Sequence, residues 1–190
     1  MIFKVEKIAK IISRLSDPVF ISPIIILLIT QLGESQLPWQ SIFFLSLIFI
    51  YLLPVVAFFV SLTIGRISDW DATKRQERYG LFIFTFLSIS LCLVAFYLLE
   101  EKQLFYFYLK ALMPIFIFFI ITFFWKISGH ALVNSLLILF IYFYFEKTII
   151  LYLGFFLIIL VGWSRVFLEK HSWAQVIVGA VLPAVSLLLF

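Results

Sequence analysis

Long apolar runs separated by short polar breaks dominate the chain. Seven can be marked, at 19–32, 39–64, 81–99, 104–125, 131–145, 149–163 and 173–190. None alternates apolar and polar residues over about ten positions, as a membrane β-strand would, so each predicts a helix. A helix rises about 1.5 Å per residue, and a hydrocarbon core of roughly 30 Å takes about 20 residues to cross. The first, fifth and sixth runs fall short of that length. They must borrow flanking residues, thin the bilayer locally or enter it incompletely. The expected architecture is an all-α, polytopic transmembrane helical bundle, with seven spans the working count and six the alternative. Pro23, Pro54 and Pro114 fall inside runs, where they predict kinks.

The first 17 residues, MIFKVEKIAKIISRLSD, read differently. They lack the continuous apolar core and the small-residue cleavage site of a signal peptide. Ile2, Val5, Ile8, Ile12 and Leu15 recur at helical spacing, with Lys4, Lys7, Lys10 and Arg14 between them. That pattern predicts an amphipathic helix lying in the membrane interface against anionic headgroups. The organisation expected is therefore an interfacial helix at 1–17 and a single transmembrane domain at 18–190.

Composition agrees with the pattern. The 190 residues are 65% hydrophobic, 20% aromatic and only 13% charged. With a mean hydropathy of +1.20, the chain is too apolar for an ordinary soluble domain. The membrane bilayer is the expected partner, nucleic acid is not, and oligomeric state is left open. The single cysteine, Cys92, sits inside an apolar run and reads as a small buried hydrophobe.

Charge changes the picture further. If all seven runs cross, one face receives the amino-terminal helix and the loops near 65–80, 126–130 and 164–172. That face holds eleven of the fourteen Lys and Arg residues, leaving only Lys102, Lys110 and Lys147 elsewhere. Positive residues favour the cytoplasm, so by this count the face is cytoplasmic.

Each of the three loops on that face carries a compact polar cluster. SDWDATKRQERYG (68–80) holds Lys74, Arg75 and Arg78, the two arginines being three apart and so on one side of a helical turn. WKISGHA (125–131) holds Lys126, Ser128 and His130. Ser128 is expected to N-cap the fifth run, which offers the amides of Gly129 and His130 to an anion. SRVFLEKHSWAQV (164–176) holds Arg165, His171 and Gln175, the last two four apart and on one helix face. Basic loop residues often do no more than anchor helices at headgroup depth. Here the chain's only two histidines both fall in such loops, each beside a cation and a serine. Cations, helix N-terminal amides and two groups able to move protons or attack phosphorus together make a phosphate site.

These residues resemble the three signatures of the type 2 phosphatidic acid phosphatase superfamily, which includes the vanadium haloperoxidases: K-x6-R-P, P-S-G-H and S-R-x5-H-x3-D. Ser164-Arg165, five residues, His171, three residues and Gln175 match the third, and Ile127-Ser128-Gly129-His130 the second. The first is matched by Arg78, with Tyr79 for the Pro and Asp71 where the Lys would fall, so Lys74 or Arg75 must supply that charge. Ile127 replaces a Pro, and Gln175 replaces the Asp that holds the nucleophilic His. Gln175 followed by Val176 is similar to the dolichyl-diphosphatase-like branch, where H-[ST]-x-x-Q-V is found.

The resemblance implies a lipid phosphate phosphatase that needs no metal or other cofactor. Its substrate would be a phosphatidate-, phosphatidylglycerol-phosphate- or polyprenyl-diphosphate-like lipid. It implies His171 as nucleophile, His130 as acid and then base, and Gln175 as the group orienting His171. It implies Arg165, Arg78, Lys74 or Arg75, Lys126, Ser128 and Gly129 as phosphate ligands. Two alternatives stay open: a phosphotransferase using the same residues, and a non-catalytic protein that binds or moves anionic lipid. Many members of the family work on the extracytoplasmic side, against the direction of the charge count.

Overall fold

Proline and small polar residues punctuate the chain where its helices begin. Asp17 precedes Pro18 at the start of one helix, Pro38 precedes another, and Ser128-Gly129 and Ser172-Trp173 open two more. The computed structural model describes residues 2–72 and 74–189, with the side chains of Ile2, Arg75 and Leu188 outside that description. Among the described residues the chain is all-α, with no strand. The helices are α1 (Ile2–Leu15), α2 (Pro18–Leu32), α3 (Trp39–Ser46), α4 (Leu53–Thr63), α5 (Arg78–Leu98), α6 (Lys102–Phe124), α7 (Gly129–Phe145), α8 (Ile149–Phe167) and α9 (Trp173–Leu189).

Five helical stretches are long and apolar enough to cross a membrane: Phe3–Leu32, Trp39–Thr63, Arg78–Leu98, Lys102–Phe124 and Ile149–Phe167. By length and composition this is a candidate multi-pass membrane protein. Of the runs that looked too short, 19–32 continues the helical stretch begun by α1. The run at 149–163 gains a turn, because Ser164 and Arg165 are helical and buried rather than part of a loop. Gly129–Phe145 stays short, and Trp173–Leu187 joins it.

The chain divides into two compact units, one from its start to Leu28 and from Phe124 onward, the other Ile29–Phe123. In the first, α7 packs against α8 and α9, α8 also meets α9, and α1 lies along α8. Without a hydrophobic drive between helices in lipid, close approach depends on small residues. Gly154 faces the side chain of Ile138, and Gly162 faces Val176 and Trp173. On the expected apolar side of α1, Val5 and Ile12 are half-buried while Ile8 and Leu15 are exposed, and the positions buried are instead Ala9 and Ser13.

In the second unit α3 and α4 form one rod joined by a π-helical stretch, Leu47–Leu52. Pro54 explains the wider turn. Leu53 donates its N–H to the Ile48 carbonyl, five residues back. The same pitch would send residue 54 to Phe49, but proline has no N–H. The Ser88 hydroxyl on α5 donates to that Phe49 carbonyl instead. The interior of this unit also holds the Tyr108 hydroxyl, 3.0 Å from Thr30 Oγ1 and 2.8 Å from Ser46 Oγ.

Candidate functional site

The spacing between Arg165 and His171 is set by how α8 ends. Glu169 adopts a left-handed conformation (φ 56°). Its N–H bonds the Val166 carbonyl at 2.9 Å, and the Lys170 N–H bonds the Arg165 carbonyl at 2.9 Å. This pair of bonds is a Schellman motif. The His171 N–H also points to the Arg165 carbonyl, at 3.3 Å. The cap thus folds the backbone of His171 onto that of Arg165, and both side chains are buried.

Helix α9 then begins at a capping box. Ser172 Oγ accepts from the Gln175 N–H at 3.4 Å, and Gln175 Oε1 accepts from the Ser172 N–H at 3.1 Å. The same Oε1 is 3.1 Å from His171 Nδ1. A backbone N–H can only donate, so the atom facing Ser172 is the amide oxygen, and Nδ1 of His171 must carry a proton to bond it. In neutral His171 the lone pair is therefore on Nε2.

Ser128 caps α7 as expected. It is extended (φ −84°, ψ 108°) and its hydroxyl accepts from Ala131, the third amide of the helix, at 3.3 Å. Its own N–H donates to the Gln175 carbonyl at 3.1 Å, joining the second cluster to the third. The carbonyl of Ser128 lies so close to Gly179 that a Cβ there would stand 2.5 Å from it. Ser135 Oγ ties the same pair of helices by donating to the Ala180 carbonyl at 2.7 Å. Gly129 is half-buried at the helix start and Lys126 is half-buried just before it.

His130, on the first turn of α7, is buried. Arg165 Nη1 approaches its Nε2 to 3.5 Å and donates to Ser13 Oγ on α1 at 2.6 Å. Asp17 Oδ2 lies 3.8 Å from the same Nε2. Asn134 Nδ2 donates to the carbonyls of His130 and Ser16, each at 2.8 Å. Sequence spacing does not point to Ser13, Asp17 or Asn134 as site residues. Asp17 had a readable signal, an Asp before Pro18 at a helix start, where Oδ1 accepts the Val19 N–H at 3.0 Å. Nothing in the pattern linked that cap to His130.

The first cluster belongs to the other unit. Arg78 is buried and turned on its own loop: Nε donates to the Ala72 carbonyl at 2.8 Å and Nη2 to that of Asp71 at 3.3 Å. Lys74 is exposed and pairs with Glu77 at 3.3 Å. The Ser68 backbone N–H, at 2.8 Å, is the main cause holding the Glu77 carboxyl below its ordinary range. The Arg75 side chain lies outside the described residues.

Within one unit, then, two histidines, a buried guanidinium and a helix N-terminus are joined by hydrogen bonds and backbone contacts. One imidazole has a defined tautomer, and the other stands between a cation and an anion. Groups of these kinds can attack, protonate and bind an anion. Among the described residues, no three His, Cys, Asp or Glu side chains group so as to hold a metal ion. Comparison with protein-family models, curated proteins and solved structures finds no match to the chain.

Proposed function

We propose that the protein is an integral-membrane lipid phosphate phosphatase of the type 2 phosphatidic acid phosphatase kind, acting through a phospho-histidine. The observation that carries this is the Gln175 oxygen 3.1 Å from His171 Nδ1, which puts the lone pair of the neutral ring on Nε2. Nε2 attacks phosphorus and the bond to the leaving oxygen breaks, with His130 giving that oxygen its proton. Water then attacks the phospho-histidine, His130 takes a proton from it, and the P–N bond breaks to release phosphate. Arg165, Lys126, Ser128 and the Gly129 amide bind the non-bridging oxygens, where positive charge and fixed donors commonly lower such barriers by several kcal/mol. The resemblance assigns the same role to Arg78, Lys74 and Arg75. Arg78 and Lys74 also bond within their own loop, as Arg165 and Ser128 do within their own unit.

The substrate is a phosphomonoester or diphosphate lipid whose tail stays among the Phe- and Leu-rich helices. The H-S-x-x-Q-V string at 171–176 favours a polyprenyl diphosphate within that class. In this reading α7 and α9 also cross, with flanking residues or local thinning, which makes seven spans, or six if one enters incompletely. The exposed Ile8, Ile11 and Leu15 of α1 rest in the interface, with Lys7, Lys10 and Arg14 at headgroup level. Positive-residue bias puts the site on the cytoplasmic face, and family analogy on the other. A cysteine introduced at Ser172, labelled with an impermeant thiol reagent in intact and opened cells, separates them.

The test of function is phosphate release from phosphatidic acid, phosphatidylglycerol phosphate and prenyl diphosphates in reconstituted membranes. Release from at least one is expected, with none from His171→Ala protein that still inserts. Retained turnover in that variant removes His171 as nucleophile. A lipid product carrying phosphate on a second acceptor indicates a phosphotransferase. Binding with no release by the wild-type protein indicates a non-catalytic lipid binder.

A further inference from the structure

Nε2 of His130 has two neighbours of opposite charge, from two different elements. Asp17 Oδ2 lies 3.8 Å away, from the junction of α1 and α2, and Arg165 Nη1 lies 3.5 Å away, from the last turn of α8. Each suits one protonation state. A guanidinium only donates, so Arg165 bonds Nε2 when that nitrogen carries a lone pair. A carboxylate only accepts, so Asp17 is met by Nε2 when it carries a proton.

The junction that delivers Asp17 is held in several ways. Asp17 is 5% exposed, and its second oxygen, Oδ1, is fixed by the Val19 N–H at 3.0 Å. Asn134 grips the carbonyls on both sides of the contact, those of Ser16 and His130, at 2.8 Å each. Ser13, one turn earlier, receives the Arg165 guanidinium at 2.6 Å. Asn or Ser would cap α2 as well as Asp does, and neither would bring a buried negative charge with its desolvation cost. Capping accounts for an oxygen at position 17, the helix N-terminus and Arg14 both favour its negative charge, and that charge also faces His130 Nε2.

We propose that Asp17 is a positioning residue for His130, holding its ring in the charged form while Arg165 receives it in the neutral form. The catalytic meaning of this pairing rests on the phosphatase reading above. In that reading His130 is an acid in the first step and a base in the second, and the proton exchanged is the one on Nε2. The leaving oxygen and then water therefore reach Nε2 beside Asp17 and Arg165, which steady the ring in its charged and neutral states. Arg14 also faces the pair, its Nη1 4.0 Å from Asp17 Oδ2. Lys126 lies in the turn before α7, and α9 carries no charged residue. The amino-terminal segment is thus part of the site and not only a membrane anchor.

Asp17→Asn tests this, because it keeps the cap and removes the charge. The chain has two histidines, so ring ¹⁵N signals in lipid nanodiscs are assigned with one further His171→Gln sample. In Asp17→Asn the His130 charge transition is expected to move to lower pH while that of His171 stays in place. Phosphate release should fall at least tenfold in kcat at neutral pH, with the basic limb of its pH profile moving in the same direction, and Asp17→Glu should restore part of the loss. An unmoved His130 transition in folded Asp17→Asn overturns the proposal. A moved transition in a protein with no phosphatase activity overturns the hydrolase reading and leaves the pairing standing. If Asp17→Asn does not fold, the ¹³C shift of the Asp17 carboxyl in the wild-type protein must step at the pH where His130 changes charge. The absence of that step overturns the pairing as well.

Discussion

The side-chain oxygen of Gln175 is shared between His171 Nδ1 and the backbone N–H of Ser172, at 3.1 Å to each. One atom therefore closes the first turn of α9 and selects the imidazole tautomer. Gln175→Ala should cost about 1 kcal/mol of stability through the lost cap. It should also change His171 from a dominant Nδ1–H form to a mixture in ring ¹⁵N spectra. Gln175→Glu keeps both contacts and should retain the Nδ1–H form. An unchanged spectrum in the alanine variant would show that Gln175 does not choose the tautomer.

Glu169 ends α8 in a left-handed conformation that favours glycine (φ 56°), and its side chain is exposed. Glu169→Gly should raise stability on the order of 0.5–1 kcal/mol, the relieved strain exceeding the greater freedom of an unfolded glycine. Thermal unfolding in detergent measures it. A lower midpoint would mean that the Glu169 side chain contributes more than its backbone costs.

Gly179 and Gly154 both sit at close helix contacts, and their substitutions should differ. An alanine Cβ at 179 meets the Ser128 carbonyl oxygen at 2.5 Å, a backbone atom held in the cap of α7. At 154 the obstruction is the side chain of Ile138, whose two Cγ branches both crowd the new Cβ, so turning its helical χ1 does not clear the contact. Gly179→Ala should cost roughly 1–3 kcal/mol and depress any activity, because it pushes the cap before His130 away from α9. Gly154→Ala should cost a comparable amount in the same unfolding assay but leave activity near wild type, because the contact is with Ile138 and not with the cap. Activity lost in Gly154→Ala but kept in Gly179→Ala would refute the close-approach account.

Ser88 and Pro54 form a testable pair in the second unit. Ser88→Ala orphans the Phe49 carbonyl and should cost about 1–3 kcal/mol. In a Pro54→Ala background a backbone N–H is restored to take that carbonyl, so Ser88→Ala should then cost little. A double-mutant cycle measures the coupling. Additive effects would show that the π-helical stretch does not depend on the proline.

Much of this protein follows from sequence by itself, because it is local. Hydropathy runs mark the helices, since a segment of about 20 apolar residues satisfies its own backbone in a helix wherever it lies. Ser128 as a cap and the meeting of His171 with Gln175 also follow from spacing, since a helical turn brings residues four apart together. The end of α8 did not follow. By its place after an apolar run Arg165 reads as a loop cation, and only the Schellman turn with a non-glycine residue at 169 shows it inside the helix. Tertiary structure alone decided the rest. It joined Ser16 to Asn134 across 118 positions and Ser13 to Arg165 across 152. The physical reason is that helix faces choose partners through small residues and single hydrogen bonds. Gly162 and Gly179 permit two such approaches without naming the partner, and Asp17 comes next to His130 where Asn134 and Arg165 bond Ser16 and Ser13.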